Sequence, residues 1–357
     1  MLSSHPKPLS QKSQDILGWE LIQEALASHA VSPATQVKCR ELLPNENFSS
    51  AKQALEETEE MVAISESGES LPLYAFEDLE PLLGEVSTHG ILEPKKGLHV
   101  IKSLQVAQNI LNFFRNQKKA THLSALCKNI NPIPALLEEF NNCIGEDGEI
   151  REEATQELKQ AIRSVRITQT NIEKALEKII SNTSLKDGLQ DTYFTERGGR
   201  LVIPVKTEWK NKIEGIVHDT SGSGATLFIE PSKMVPLNNQ LKINRIQVSQ
   251  EKIKIRRSLA ESLISHQDTI RINQQTLIAL DIIHARYRLA LSMGARRYQF
   301  SPSGQVNLKQ ARSPELILNG QNVIPNNISW AKETQVIIIS GPNTGGKTVT
   351  LKTIGLM

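Results

Sequence analysis

The sequence predicts a mainly α fold with a small antiparallel β-sheet inserted between long helices, followed by the start of an α/β domain. Three observations carry this. Leu, Ile, Ala, Glu, Gln and Lys dominate while aromatics are 4% of 357 residues, a composition that favours helix. A stretch around residues 193–232 changes to short β-like runs separated by a Ser/Gly turn. Near the end, one continuous apolar run leads into a glycine-rich loop.

The length allows two or three domains, and 39% hydrophobic with 22% charged residues fits an ordinary folded chain. No apolar run approaches the roughly 20 residues of a membrane helix, and the polar stretch Met1 to Pro8 has no apolar signal core. Cys39, Cys127 and Cys143 match no metal-knuckle spacing, so buried, reduced thiols in a cytoplasmic protein are expected. Charge is uneven. Residues 1–150 hold 12 Lys+Arg against 21 Asp+Glu, a net of −9; the remaining 29 and 18 give residues 151–357 a net of +11, for +2 in all. A basic half attracts polyanions such as nucleic acid, although a solvated helix surface explains the same charges.

Along the chain, residues 10–70 read as helices, with Ile16, Leu17, Leu21, Ile22 and Leu26 at helical spacing and a further stretch from Ser50 to Ile64. Leu98 to Phe114 is again helical, and Asn131-Pro132-Ile133-Pro134 breaks the pattern. Residues 1–150 form a helical core with no catalytic constellation. From Arg151, the residues Leu158, Ile162, Val165, Gln169, Ile172, Leu176 and Ile179 form a heptad seam with one polar interruption. This predicts a long helix lying on a partner. Strands follow at Leu201–Val205, Ile213–His218 and Thr226–Ile229, with Ser221–Ala225 as a turn. Pro204 suggests that the first is an edge or an end. Helix returns from Leu237 to about Met293, where Leu263, Ile270 and Leu277 are seven apart and Lys252, Lys254, Arg256 and Arg257 cluster. Residues 151–295 therefore read as an arm with a β tip. After a loop-rich section with Pro302, Gly304, Pro314, Gly320 and Pro325, Val336–Ser340 reads as a strand buried on both faces.

That run enters Gly341-Pro342-Asn343-Thr344-Gly345-Gly346-Lys347-Thr348, which fits G-x-x-x-x-G-K-[ST], the phosphate-binding loop. The glycines let the backbone turn with its N–H groups inward. Those donors and the following helix N-terminus, read as Val349 to Met357, cradle phosphate oxygens. Lys347 supplies charge to the β- and γ-phosphates, and the Thr348 hydroxyl is placed to ligate Mg²⁺. Residues 296–357 are expected to be the incomplete first part of a P-loop α/β ATPase domain. Hydrolysis also needs a carboxylate at the end of another strand. Only 10 residues follow Lys347, so this chain alone is expected to lack hydrolytic machinery, and no catalytic residue is assigned.

The loop, with Pro and Asn after its first Gly, resembles the MutS form. Glu196–Lys206, Gly215–Asp219, Ser223–Pro231 and Leu237-Asn238-Asn239 are similar to the clamp region of the bacterial MutS-two subfamily. Glu56–Glu60 and the helix from Glu153 through Arg163 also fit. The resemblance implies core, lever and clamp domains ahead of the ATPase. It further implies ATP and Mg²⁺ as cofactors, a homodimer in the full-length family, and action on branched or mismatched DNA to suppress recombination. Collided ribosomes and their rRNA are a second implied target. The subfamily's Mg²⁺-site strand, signature sequence and Smr nuclease domain are missing here, as in a chain truncated after the loop. Arg312-Ser313-Pro314 departs from the family's Arg-His-Pro.

By the same analogy Val323, Ile324 and Pro325 line an adenine pocket, against simple packing. Lys252, Arg256 and Arg257 are candidates for phosphate contact, against a solvated face. His218-Asp219 reads as a structural pair rather than half a nuclease site, and Glu230-Pro231 as a strand end. A non-catalytic nucleic-acid-binding or interaction module that pairs with a full-length homologue is the alternative function.

Overall fold

A computed structural model describes residues 10–45, 47–115, 117, 120–183, 185–301, 305–342 and 345–356. In chain order the first half gives α1 (Gln11–Leu17), α2 (Trp19–His29), α3 (Pro33–Arg40), α4 (Phe48–Glu66), α5 (Glu80–His89), α6 (Pro94–Arg115), α7 (Thr121–Cys127), α8 (Pro134–Cys143) and α9 (Gln156–Ile180). The sheet strands β1 (Thr195–Arg197), β2 (Arg200–Lys206), β3 (Gly215–Thr220) and β4 (Thr226–Pro231) come next. Then follow α10 (Val235–Ser265), α11 (Gln267–Ser292), β5 (Val306–Ala311), α12 (Pro314–Leu318), β6 (Asn326–Trp330) and α13 (Lys347–Leu356). The chain is thus mainly helical with small antiparallel sheets, and it divides into two compact units.

The first unit comprises residues 1–84, 99–134 and 266–357. Its larger core packs Met61 and Ile64 of α4, Ile110 and Phe114 of α6, Leu123 and Cys127 of α7, and Leu277, Leu280 and Ile283 of α11 around Phe76. Each contributes from one helical face, and full burial of such side chains is worth about 1.5–3 kcal/mol apiece. A smaller cluster joins Leu26, Ala27 and Ala30 to Cys39, Ala285 and Leu289, with Leu318 against it.

Two helix starts in this unit lack a cap of their own and borrow a distant carboxylate. Asp281 accepts from the N–H groups of Val31 and Ser32, both at 3.0 Å, ahead of α3. Glu60 accepts from His122 and Leu123 at 2.9 Å at the head of α7. Helix N-termini leave donors unsatisfied and carry partial positive charge, so a carboxylate there serves both needs.

The second unit comprises residues 85–98 and 135–265. Here α9, capped by Thr155, lies along α10. The buried stripe of α9 runs Leu158, Ala161, Thr168, Ile172 and Leu176. The expected seam placed its polar interruption at Gln169. That residue is half-buried and bonds Glu173 at 3.0 Å, whereas the buried polar position is Thr168, which takes the Asn244 amide of α10 at 3.0 Å. Thr168 offers a short side chain that fits the contact and satisfies Asn244, while Gln169 turns outward.

The tip sheet has order β1-β2-β4-β3, all antiparallel. Ile203, Val205, Leu227 and Ile229 share a core with Ile172, Leu176 and Leu241 of the helices. Pro204 sits on a central strand, opposite Phe228. Its carbonyl accepts from Gln190 at 3.0 Å, away from β4, and β1 ends at its partner Val202. The missing N–H therefore removes no bond to β4, but the expected edge or end is not found: β2 is central, and Leu189 bridges Val205 on the side away from β4. Gly215 is demanded by contact: a Cβ there would lie 2.4 Å from the Glu230 carbonyl oxygen.

Three expectations are corrected. The helix anticipated from Leu237 to Met293 is two helices, with His266 at φ −108°, ψ 9° between them. The section after Gly294 contains an antiparallel pair, β5 and β6, with α12 between them in the chain. Val336–Ser340 is not a strand among the described residues, and Val336, Ile337, Ile338 and Ile339 are 75, 51, 85 and 38% exposed. A β-run requires a neighbouring strand for its ladder and a covering layer for its side chains; among the described residues the run has neither. No helix among these residues is long and apolar enough to cross a membrane.

Candidate nucleotide and nucleic-acid sites

The glycine-rich loop ends at the head of α13. Gly341 (φ +149°) and Gly346 (φ +75°) hold left-handed conformations, and a Cβ on either would meet nothing within 4 Å. The Gly345 N–H donates to the Pro342 carbonyl at 2.9 Å, closing a turn. Lys347 reaches back across it, its Nζ donating to the carbonyls of Gly341 at 2.5 Å and Pro342 at 3.1 Å. Thr348 is exposed on the first turn of α13. Of the eight residues singled out in the sequence, Gly341, Pro342, Gly345, Gly346, Lys347 and Thr348 come together here, while Asn343 and Thr344 lie outside the described residues. α13 is fixed further along by Lys352, whose Nζ contacts both oxygens of Glu315 at 3.1 and 2.9 Å, and by Thr353, which is 4% exposed. Val323 is half-buried, and Ile324 and Pro325 are exposed, with Ile324 at 82%. Core packing therefore does not account for Ile324.

The tip is organised by Glu230, whose side chain is fully buried. Arg200 Nη1 donates to both its oxygens at 2.7 and 2.9 Å, Asn238 Nδ2 donates at 2.8 Å, and His218 Nε2 lies 2.6 Å away. The Asn238 amide also exchanges bonds with both backbone groups of Leu201. These contacts tie β2, β3, β4 and the first turn of α10 together. A charge is tolerated at zero exposure only when it is paired and its lone pairs are satisfied. Glu230-Pro231 ends β4, as the sequence predicts, and Glu230 is in addition the hub of this network. His218 and Asp219 diverge, the first to Glu230 and the second to Arg197 at 3.2 Å. Outside the hub, the Arg197 guanidinium stacks 4.3 Å from the Phe228 ring centroid and Lys212 lies 4.0 Å from that of Trp209. Arg245 grips Glu196 at 2.8 and 3.1 Å, and that hydrogen bond holds the Glu196 carboxyl below its usual range.

The basic cluster of α10 is partly committed. Arg256 donates through Nε to the Leu92 carbonyl at 2.8 Å, and Lys254 pairs with Glu251 at 2.8 Å. Lys252 is half-buried and Arg257 exposed. Cys39 and Cys127 are buried and Cys143 is half-buried, all three as free thiols. Among the described residues no cluster of His, Cys, Asp and Glu suits a metal.

The described residues combine long helices, a four-stranded antiparallel sheet and a glycine loop opening α13. No family model matches the chain. It is 34% identical over 353 residues to an endonuclease MutS2 of Alkaliphilus metalliredigens, covering 98% of this chain and 44% of that protein. Endonuclease MutS2 proteins of Geobacillus sp. strain WCH70 (33% over 346 residues, 96% and 44%) and Bacillus velezensis (32% over 353 residues, 98% and 45%) are similar to the same extent. The chain is thus homologous along nearly its whole length to the N-terminal part of MutS2 proteins. It spans less than half the length of these relatives.

Proposed function

We propose that this chain is the nucleic-acid-gripping and nucleotide-binding portion of an ATP-dependent clamp of the MutS2 type. Residues 1–150 serve as its core, 151–295 as lever and clamp, and 296–357 as the first part of its P-loop ATPase domain. The observation that carries the reading is similarity along 98% of the chain, the phosphate-loop segment included. Gly341, Pro342, Asn343, Thr344, Gly345, Gly346, Lys347 and Thr348 would hold ATP. The residues fit that group: Lys347 places its ammonium at the loop carbonyls, where phosphate oxygens can take over as partners, and the space beside Gly341 and Gly346 is open. Thr348 would hold Mg²⁺ through its hydroxyl, and the ion would supply charge neutralisation for the phosphates.

The grip on nucleic acid falls to the arm, within a half of the chain that carries a net +11. Branched or mismatched DNA is the proposed target and a homodimer the proposed working form. Nucleotide then alters grip because the same chain binds both ligands, and such coupling is reciprocal.

A second reading, a non-catalytic nucleic-acid-binding module, is favoured by the exposure of Val336–Ile339, which leaves the loop without a framing sheet among the described residues. Anisotropy of a labelled four-way DNA junction, titrated at several salt concentrations with and without ATP and Mg²⁺, separates the two. The clamp requires an affinity that falls with salt and changes with ATP; the module requires the salt dependence alone. Ribosomal RNA as competitor tests the other target, and stronger competition than duplex DNA would transfer the reading to ribosomes.

A further inference from the structure

The helix that opens at the phosphate loop is braced from behind by residues remote in sequence. Gly355, near the end of α13, lies against Leu17, the last residue of α1: a Cβ at 355 would be 2.7 Å from Leu17 Cδ2. Lys352 lies four residues after Thr348, hence on the same face of α13 one turn further on. It is held by Glu315 of α12 at 2.9 and 3.1 Å, with both side chains largely shielded. α12 is itself anchored, since Leu318 packs on the cluster of Leu26, Ala27 and Leu289. The left-handed Gly18, between α1 and α2, leaves room beside the Glu315 carboxyl carbon, which a Cβ at 18 would meet at 3.9 Å. The rotation of α13 about its axis is thus set by an ion pair and a helix contact, both rooted in the helical core. That rotation decides where the side chains of Lys347 and Thr348 point.

We infer that Glu315 and Lys352 are positioning residues for the nucleotide loop, and that α1 is the strut behind them, so that nucleotide binding and docking of α1 favour one another. This rests on the proposal that the loop binds ATP. None of these residues touches the nucleotide; they act through the orientation of α13. By linkage, whatever loosens α1 weakens ATP binding, and ATP tightens the α1 contact.

The test uses the full chain and a fluorescent ATP analogue with Mg²⁺. Glu315→Gln and Lys352→Met each weaken analogue binding about two- to five-fold, the range set by a largely shielded pair that keeps some contact with water. Lys352→Arg keeps it, and the exchange Glu315→Lys with Lys352→Glu restores it. The melting temperature is followed in parallel, because a merely structural pair would move stability and leave affinity alone. Separately, Leu17→Cys with Gly355→Cys is treated with a short thiol crosslinker; the product is expected to form faster with ATP and Mg²⁺ present. Wild-type binding with unchanged affinity in the single variants overturns the inference, as does absence of the crosslink in the folded chain. No binding by the wild-type chain overturns the ATP reading itself, and the inference with it; the wild-type arm keeps the two failures distinct.

Discussion

Replacing Arg200 by Met removes the main partner of a carboxylate that has no exposure to water. Arg200 donates twice to Glu230, at 2.7 and 2.9 Å, and its Nη2 donates to Asn239 at 2.7 Å. Breaking a fully buried ion pair from one side costs about 3–5 kcal/mol. Two features reduce the figure here. The Arg200 side chain is 22% exposed, and His218 and Asn238 still contact the carboxylate. Met preserves the packing of the arginine stem, so packing loss adds little. The expected cost is about 2–3 kcal/mol, confined to the unit that carries the tip. Trp209 reports on that unit, since Lys212 lies over its ring and Gly188 packs beneath it. Urea unfolding followed by Trp209 fluorescence, in a background where Trp19 and Trp330 are Phe, would show the midpoint about 1 M lower for a typical slope of about 2 kcal/mol/M. A shift below about 0.3 M would refute the view that Glu230 is the hub of the tip.

Asp281→Ala leaves the N–H groups of Val31 and Ser32 without their acceptor, and Ser32 is fully buried. A loss of about 2–4 kcal/mol is expected from denaturant unfolding of the first unit, and a near-neutral result would show that the distant cap is dispensable. Gly215→Ala forces a Cβ to within 2.4 Å of a backbone oxygen on β4; overpacking of this kind costs about 1–3 kcal/mol, visible as faster amide exchange in β3 and β4. Burial pushes the Cys127 thiol up to about 12 and the Cys39 thiol up to about 11, from 9.0. Both raised values mean that the folded state keeps protons the unfolded state releases, so stability is intact below pH 9 and declines as pH rises from 9 towards 11. The slope is about 1.4 kcal/mol per pH unit for each thiol. A melting temperature independent of pH from 8 to 10.5, with Cys39→Ala and Cys127→Ala as controls, would contradict it.

Much of this architecture was legible because its signals are local. Three of the four sheet strands, β2, β3 and β4, announce themselves as short apolar runs, while the three-residue β1 carries no such run, and the glycine loop is a spaced motif whose helix starts at Lys347, two residues ahead of the expected Val349. What sequence periodicity missed depends on partners distant in the chain. Glu230 has neighbours of ordinary strand type, and nothing in its local pattern says that Arg200, His218 and Asn238 converge on it. A carboxylate within an otherwise buried strand was the available signal. Thr168 rather than Gln169 enters the seam because the choice between adjacent residues rests on the facing Asn244. The β5–β6 pair reads as loop in the sequence since its residues alternate weakly and lie among Pro and Gly. Val336–Ser340 failed for the opposite reason: its composition is that of a buried parallel strand, but strand formation is a property of the pairing. Glu315 and Lys352, 37 residues apart, carry no joint signal in one sequence.

The most direct test of the central claim is calorimetric titration of ATP with Mg²⁺ into the full chain, beside the Lys347→Ala variant. Saturable binding by the wild type at one site per chain is expected, with affinity at least about tenfold weaker in the variant, the loss that follows removal of a charged phosphate contact. Equal binding by both proteins, or none by the wild type, would contradict the assignment of Gly341–Thr348 as a nucleotide loop.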